Sequence, residues 1–495
     1  MKKLLNRALE LFREISAIPR CSGNEENVRG WIESWASRRG FDTLTDSSGN
    51  MLVKIPASTG YKSAPGVILQ GHMDMVCEKT PESFHDFTKD PISVICEGDW
   101  IHAENTTLGA DNGIAIALGM TLAESNRPHP SLDLLFTVEE ETGLIGASNL
   151  DPKMLSADIL LNLDWETEAE FAVGCAGGRI NRLEMPMIPT AGVDSGQIIT
   201  ISVSGMTGGH SGVDIHKNRA NANRVLAEIL NEFKPFRLME IHGGTAPNAI
   251  PREARAIIWT NPDEGTGGRA AAESRAEALK RAYESTDPGL SVHFEEAPNA
   301  KNPQAVSAQV SSVIVDMLLA LPNGVVAMDN EMEGLVETSC NLAKVDLHNR
   351  AKELRVILNQ RSSLISRMEE LTGRIEAVAS LAGCRAETTG DYSPWLPRLD
   401  SPLLARSMKL CEKLFGTPPG IRIVHAGLEC GVIDAHRPGM DMISLGPTIE
   451  NPHSPAERMS RNSVKRTLFF LTEILRSLAE KPLMKSENMA GSRQD

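Results

Sequence analysis

Three short apolar runs, each ending in a knot of ionisable residues, constrain this chain more than any other feature. Val67-Ile68-Leu69 runs into Gln70-Gly71-His72-Met73-Asp74, 132–138 into Glu139-Glu140-Glu141-Thr142-Gly143, and 159–163 into Asp164. A continuous apolar run of this length, bounded by polar residues, is the pattern of a strand buried on both faces. Such strands belong to parallel sheets covered by helices, and ligands bind at the carboxyl ends of their strands. Helical spacing intervenes as that architecture requires, over 4–17, 25–38 and a small-residue stretch at 114–124 entered through Leu108-Gly109-Ala110-Asp111-Asn112-Gly113. The first ~180 residues therefore predict an α/β fold, a mixed, mostly parallel sheet flanked by helices.

The pattern changes near Met185-Pro186-Met187-Ile188-Pro189. A strand (198–203), helix (219–233), strand (254–260), helix (269–284) and strand (290–295) are followed by helix 305–321, strands within 340–347 and 353–360, and helix 363–381. Order and lengths roughly repeat, which predicts an inserted α+β lid of two β-α-β-β-α-β units. After Asp391-Tyr392-Ser393-Pro394-Trp395-Leu396-Pro397 the alternation resumes with helix 402–415, strand 420–424, helix 429–435, strand 440–445 and a final helix from Pro455 to about 478. The expected organisation is a catalytic domain in two pieces (1–186 and 393–482), an inserted domain (187–392) and a loose tail (483–495). At 495 residues the chain exceeds one compact core.

A net charge of −15 argues against nucleic acid or an anionic membrane as partner. No apolar stretch approaches the ~20 residues of a membrane span. Lys2, Lys3, Arg7, Glu10, Arg13 and Glu14 interrupt the apolar positions near the start, an amphipathic helix rather than a signal peptide. The eight cysteines contain no Cys-x-x-Cys pair and read as reduced thiols, so a cytoplasmic location is expected.

At the strand ends stand His72, Asp74, the 139–141 triplet, Asp164 and, after Ile443-Ser444-Leu445-Gly446-Pro447, His453. Asp111 opens a helix. His453 precedes Ser454-Pro455-Ala456-Glu457, which reads as a capping box with proline at the first helical position. Alone, Asp111 could be a helix cap, Asp164 a turn residue, His453 a loop histidine and the triplet a solvated strand end. Gathered at one rim, two imidazoles and several carboxylates suit zinc, with manganese or cobalt as alternatives. Five ligand-type residues (His72, Asp111, Glu141, Asp164, His453) exceed the three that one catalytic zinc needs, so a two-metal centre explains them better.

The motifs also resemble a known family. Gln-Gly-His72-Met-Asp74, Leu-Gly-Ala-Asp111-Asn-Gly, Glu140-Glu141-Thr-Gly, Asn-Leu-Asp164, Gly-Gly-His210-Ser-Gly and Gly-Pro-Thr…His453-Ser-Pro occur in the order of the M20 metallopeptidases. Val173-Gly-Cys-Ala-Gly-Gly178 and His425-Ala-Gly-Leu-Glu-Cys-Gly431 are similar to the aminoacyl-histidine dipeptidases within it (peptidase D, carnosinase-like). The resemblance implies a zinc-exopeptidase-like catalytic domain, with His72 and Asp164 on one zinc, Glu141 and His453 on the other, and Asp111 bridging. It makes Glu140 the general base, Asp74 the carboxylate behind His72, and His210 the group that polarises the scissile carbonyl. It further implies a small dipeptide substrate and either a monomer with a duplicated lid or a homodimer.

Where the family shows two Glu, one residue and then glycine, three Glu run together here. Counting back from Gly143 selects Glu140 and Glu141, but a one-residue slip, making Glu139-Glu140 the pair, stays open. Trp165 stands where the resemblance gives a small residue, which points to altered specificity. A guanidinium fork suits a substrate carboxylate, and Arg361, at the end of an inserted-domain strand, is the candidate, with a plain surface arginine as the other reading. Asn218, Arg219 and Asn221 are further candidates for the cleft, and Gly208-Gly209 and Gly243-Gly244 for loops where backbone approaches substrate. The expected activity is a dipeptidase of Xaa-His, carnosine-like type or of broader range; the alternatives are an M20-type amidohydrolase of N-acyl or N-carbamoyl amino acids and an inactive binding relative.

Overall fold

The computed structural model describes residues 1–187, 196–297, 304–330, 332–347 and 353–483. The expected loose tail lies, from 484 onward, outside the described residues. The chain divides into two compact units: Met1–Cys175 with Trp395–Ile423 and Leu428–Asp495, and Ala176–Pro394 with Val424–Gly427. The first boundary therefore falls ahead of the expected 186. Gly177–Pro186 pairs along its whole length with Glu353–Ser362, so its hydrogen bonds place it in the second unit.

The first unit is built on an eight-stranded sheet in the order Asp42–Thr45, Met51–Ile55, Leu132–Thr137, Val67–His72, Ile159–Asn162, Asp441–Ser444, Glu170–Cys175, Gly420–Val424. Its middle is parallel and its flanks antiparallel. Every residue of Val67–His72 and of Ile159–Asn162 is buried, which is why 67–69 and 159–161 read as apolar runs. In the parallel register His72 lies opposite Thr137, and Gln70 opposite Asn162, so the polar residues after each strand share one edge. Helices Lys2–Ser16, Glu26–Ser37, Ala110–Ala123 and Arg461–Glu480 supply the rest of the core. Ala110–Ala123 is buried at every position. A Cβ on Gly71 would lie 2.6 Å from that of Ala115, so glycine at this strand position is what lets the helix approach.

The second unit is a nine-stranded antiparallel sheet containing two β-α-β-β-α-β sets. Strands Gln197–Ser204, Arg237–Gly243, Ala254–Thr260 and Ser291–Ala297, with helices Ala222–Asn231 and Pro262–Ala282, form the first, ordered fourth-first-third-second. Gly177–Pro186, Val336–Leu347, Glu353–Ser362 and Arg385–Tyr392, with helices Ala308–Ala320 and Ile365–Ala382, form the second in mirrored order. Arg237–Gly243 joins Val336–Leu347 and makes one sheet of the two. The opening strand of the second set precedes the whole first set in the chain, so a linear reading could not assign it.

Two expectations are corrected. The final helix begins at Arg461, not Pro455; Ser460 is its N-cap, accepting from Ser463 N at 3.1 Å. The cysteines are not all free: Cys21 and Cys77 form a disulfide across 56 residues of sequence. Nothing in the spacing marks that pair, because a helix and three strands lie between the two cysteines in the chain. Labelling the denatured, unreduced protein with a thiol reagent should modify six cysteines, rising to all eight after reduction. Eight without reduction would contradict the pairing.

Candidate metal centre

His72 closes its strand fully buried, and its backbone N–H donates to Asn112 Oδ1 at 3.3 Å. Its Nδ1 faces Asp74 Oδ1 at 3.2 Å, which turns Nε2 outward to Asp111 Oδ1 at 2.9 Å and Asp164 Oδ1 at 3.4 Å. On the other side, His453 Nε2 lies 3.0 Å from Asp111 Oδ2 and 3.1 Å from Glu141 Oε2. Asp111 thus receives one imidazole on each carboxylate oxygen. Ligand atoms of His72, Asp111 and Glu141 all lie within 4.8 Å of one another.

Asp74 is a hub as well as a partner of His72. Its oxygens accept from Ser22 Oγ (2.7 Å), Glu140 N (3.1 Å) and Glu141 N (3.2 Å). The 139–141 turn is therefore hung on the carboxylate that orients His72. Glu139 takes a left-handed backbone conformation, φ +49°, and its N–H donates to Glu25 Oε1 at 3.0 Å. Glu141 is the member of the triplet that meets His453, and Glu140, the residue before it, is partly buried.

The donor chemistry fits divalent metal. Two imidazole nitrogens and three carboxylates converge, and Glu141 Oε1 is buried with no hydrogen-bond partner. Burial alone would lower both histidines, but Asp164 and Asp111 hold His72 well above its usual value, and Asp111 and Glu141 push His453 up to about 11. Burial and then Asp111 push Glu141 up to about 7. Burial, and after it Glu141, carry Glu140 well above the usual carboxylate range. Burial would raise Asp74 too; the hydrogen bonds from His72, Ser22 and Glu140 N override it and hold it at about 2.

The other candidates belong to the second unit. His210 Nδ1 accepts from Gly212 N (3.2 Å) and Val213 N (3.0 Å), which puts the ring proton on Nε2. Arg361 is not a surface arginine: it is 5% exposed, and Nη1 donates to Tyr392 Oη at 2.7 Å while Nε is buried without a partner. Ser339, its neighbour across the strand pair, bonds His425 Nε2 at 2.7 Å. Asn218 is exposed in a left-handed turn. Asn221 is instead the buried N-cap of Ala222–Asn231, accepting from Asn223 N and Arg224 N, so it is committed to the fold. Gly244 meets the carbonyl of Ala343 within the same unit, so its loop is shaped by packing. Trp165, flagged for specificity, donates from Nε1 to Glu170 at 3.3 Å.

Sequence reasoning missed Ser22 and Glu25, which brace the turn and Asp74 from a loop about fifty residues upstream in the first case. It also missed Arg20, discussed below. Only the long-range hydrogen bonds reveal them.

A helix-covered sheet with parallel strand ends that gather two imidazoles and three carboxylates defines a metal-dependent hydrolase. The chain belongs to peptidase family M20/M25/M40, whose model matches residues 68–480, and it is a hydrolase acting on peptide bonds. It is 37% identical over 477 residues to the cytosol non-specific dipeptidase of Escherichia coli (strain K12), covering 95% of this chain and 97% of that protein. It resembles the crystal structure of aminoacylhistidine dipeptidase from Vibrio alginolyticus with a TM-score of 0.81 at 35% identity, over 95% of this chain and 96% of that one. Human carnosine dipeptidase 1 shares the fold, with a TM-score of 0.52 at 11% identity over 97% of each chain. Among the described residues no helix is long and apolar enough to cross a membrane.

Proposed function

We propose that the chain is a dizinc dipeptidase of Xaa-His, carnosine-like or broader type. The observation that carries this reading is Asp111 with one imidazole on each oxygen, and the relatives named above support it. His72 and Asp164 would hold one zinc, Glu141 and His453 the other, and Asp111 both; manganese or cobalt would suit the same donors. Bound there, the ions would supply Lewis-acid polarisation of the scissile carbonyl and would lower the pKa of a water from ~15.7 towards ~7.

The rest is done by the chain. Glu140, its proton affinity raised by burial and Glu141, takes a proton from the attacking water and delivers it to the leaving nitrogen. Asp74 keeps His72 in the tautomer that presents Nε2. His210 offers its Nε2 proton to the developing oxyanion. Arg361, with Asn218, would receive the substrate's terminal carboxylate. The chain would act as a monomer with its duplicated lid or as a homodimer.

The test is turnover of a panel of Xaa-His dipeptides, other dipeptides, and N-acyl and N-carbamoyl amino acids by zinc-loaded and chelator-treated protein. Zinc-dependent cleavage of dipeptides is expected. Cleavage of the acylated amino acids alone would select the amidohydrolase, and no turnover would select the inactive relative. Arg361→Lys should raise KM for dipeptides by about 10–100-fold with kcat little changed, since it loses the charged fork but touches no reacting atom. An unchanged KM would remove Arg361 from substrate binding.

Metal uptake should also be pH-dependent with a definite sign. Both imidazoles are raised in the metal-free protein, so both carry protons at neutral pH and must lose them to ligate. Zinc binding at neutral pH should release protons, and affinity should fall as pH falls. Calorimetric titrations in two buffers of different ionisation enthalpy measure the release; identical heats would contradict it.

A further inference from the structure

The helix that carries Asp111 is broken at the ligand itself. Asp111 (φ −78°, ψ 104°) and Asn112 (φ −119°, ψ 28°) leave helical geometry inside Ala110–Ala123. Such a break leaves the backbone N–H groups of the preceding turn needing acceptors in a buried place. Glu457 supplies them. Its side chain, 2% exposed, accepts from Leu108 N (2.7 Å) and Gly109 N (2.9 Å) on Oε2, and from Ala110 N (2.8 Å) and Asp111 N (3.3 Å) on Oε1. Four donors meet two oxygens, a match that a carboxylate offers and an amide does not.

Arg20 holds the same loop through its carbonyls. The guanidinium is 1% exposed, donates to Gly109 O through Nη2, and reaches Met73 O (2.9 Å) and Asp74 O (2.7 Å) through Nη1. A Cβ on Gly113 would stand 2.7 Å from Nη2, so glycine there leaves room for the fork. Asn112 completes the bracing, donating from Nδ2 to Leu163 O at 2.9 Å, one residue before Asp164. Glu457 itself follows His453 by four residues. The segments bearing His72, Asp111, Asp164 and His453 are thus tied together by side chains that are not ligands.

We propose that Glu457, assisted by Arg20, is a positioning residue for the bridging carboxylate: it clamps the 108–111 backbone so that Asp111 faces both imidazoles. The inference rests on the metal-centre reading. An amide at 457 would set an N–H donor against backbone N–H groups, freeing the loop without emptying the volume.

The test compares full-length wild type, Glu457→Gln and Arg20→Lys for zinc affinity by chelator competition, for thermal midpoint without metal, and for the rise in midpoint on adding zinc. Both variants should bind zinc about 10–100-fold more weakly and show a smaller zinc-induced rise, with KM at saturating zinc near wild type. A role confined to folding would lower the metal-free midpoint and leave zinc affinity and the zinc-induced rise as in wild type, and that result overturns the inference alone. Should Glu457→Gln fail to fold, Arg20→Lys, which keeps the buried charge, decides by the same two readouts. A wild-type chain that binds no zinc overturns the metal-centre reading, and this inference with it.

Discussion

Glu140→Gln should lower kcat for dipeptide hydrolysis by ~10²–10⁴-fold while zinc content stays at the wild-type value. The amide is nearly isosteric and keeps the 139–141 turn, whose backbone N–H groups, not the Glu140 side chain, bind Asp74. What it loses is a proton acceptor. Glu140 is not among the residues that would hold zinc, so zinc should bind as it does in the wild type. Metal analysis beside single-turnover rates separates the two quantities. Full activity in the variant would remove Glu140 from the chemistry, and lost zinc would make it a ligand.

The second large effect is expected at Asp111. Asp111→Asn replaces one oxygen of the bridge with an NH2 group that cannot accept from His72 or His453 or bind a cation. Zinc affinity should fall by more than the ~10–100-fold typical of losing a hydrogen-bond partner of a ligand, and activity should fall with it. The backbone N–H of residue 111 still meets Glu457 in the variant, so the metal-free thermal midpoint should change far less than zinc binding. A variant that kept both zinc ions would show that Asp111 does not bridge.

What the sequence made legible, and what it hid, follows from where the interactions lie in the chain. The parallel centre of the first sheet was readable because strands such as Ile159–Asn162 are buried on both faces and so mostly apolar. The polar residues closing those strands stood out for the same reason, and the structure brings His72, Asp111, Glu141, Asp164 and His453 to one edge. Gly177–Pro186 escaped notice because its sequence, Gly-Gly-Arg-Ile-Asn-Arg-Leu-Glu-Met-Pro, is broken by charges and its repeat partners lie beyond an entire intervening set. Glu457 was misread for a local reason. Ser454 and Glu457 have the spacing of a capping box, yet the Glu457 carboxylate goes to a loop 346–349 positions away. Arg20, Ser22 and the Cys21–Cys77 pair are likewise long-range and carry no local pattern.

The most direct test of the central claim is a zinc-edge anomalous difference map from crystals of the zinc-loaded protein. Two peaks are predicted, one beside His72 and Asp164 and one beside Glu141 and His453, with one Asp111 oxygen towards each and Asp74 bonded to neither. A single peak, or a peak bonded directly to Asp74, would contradict the account.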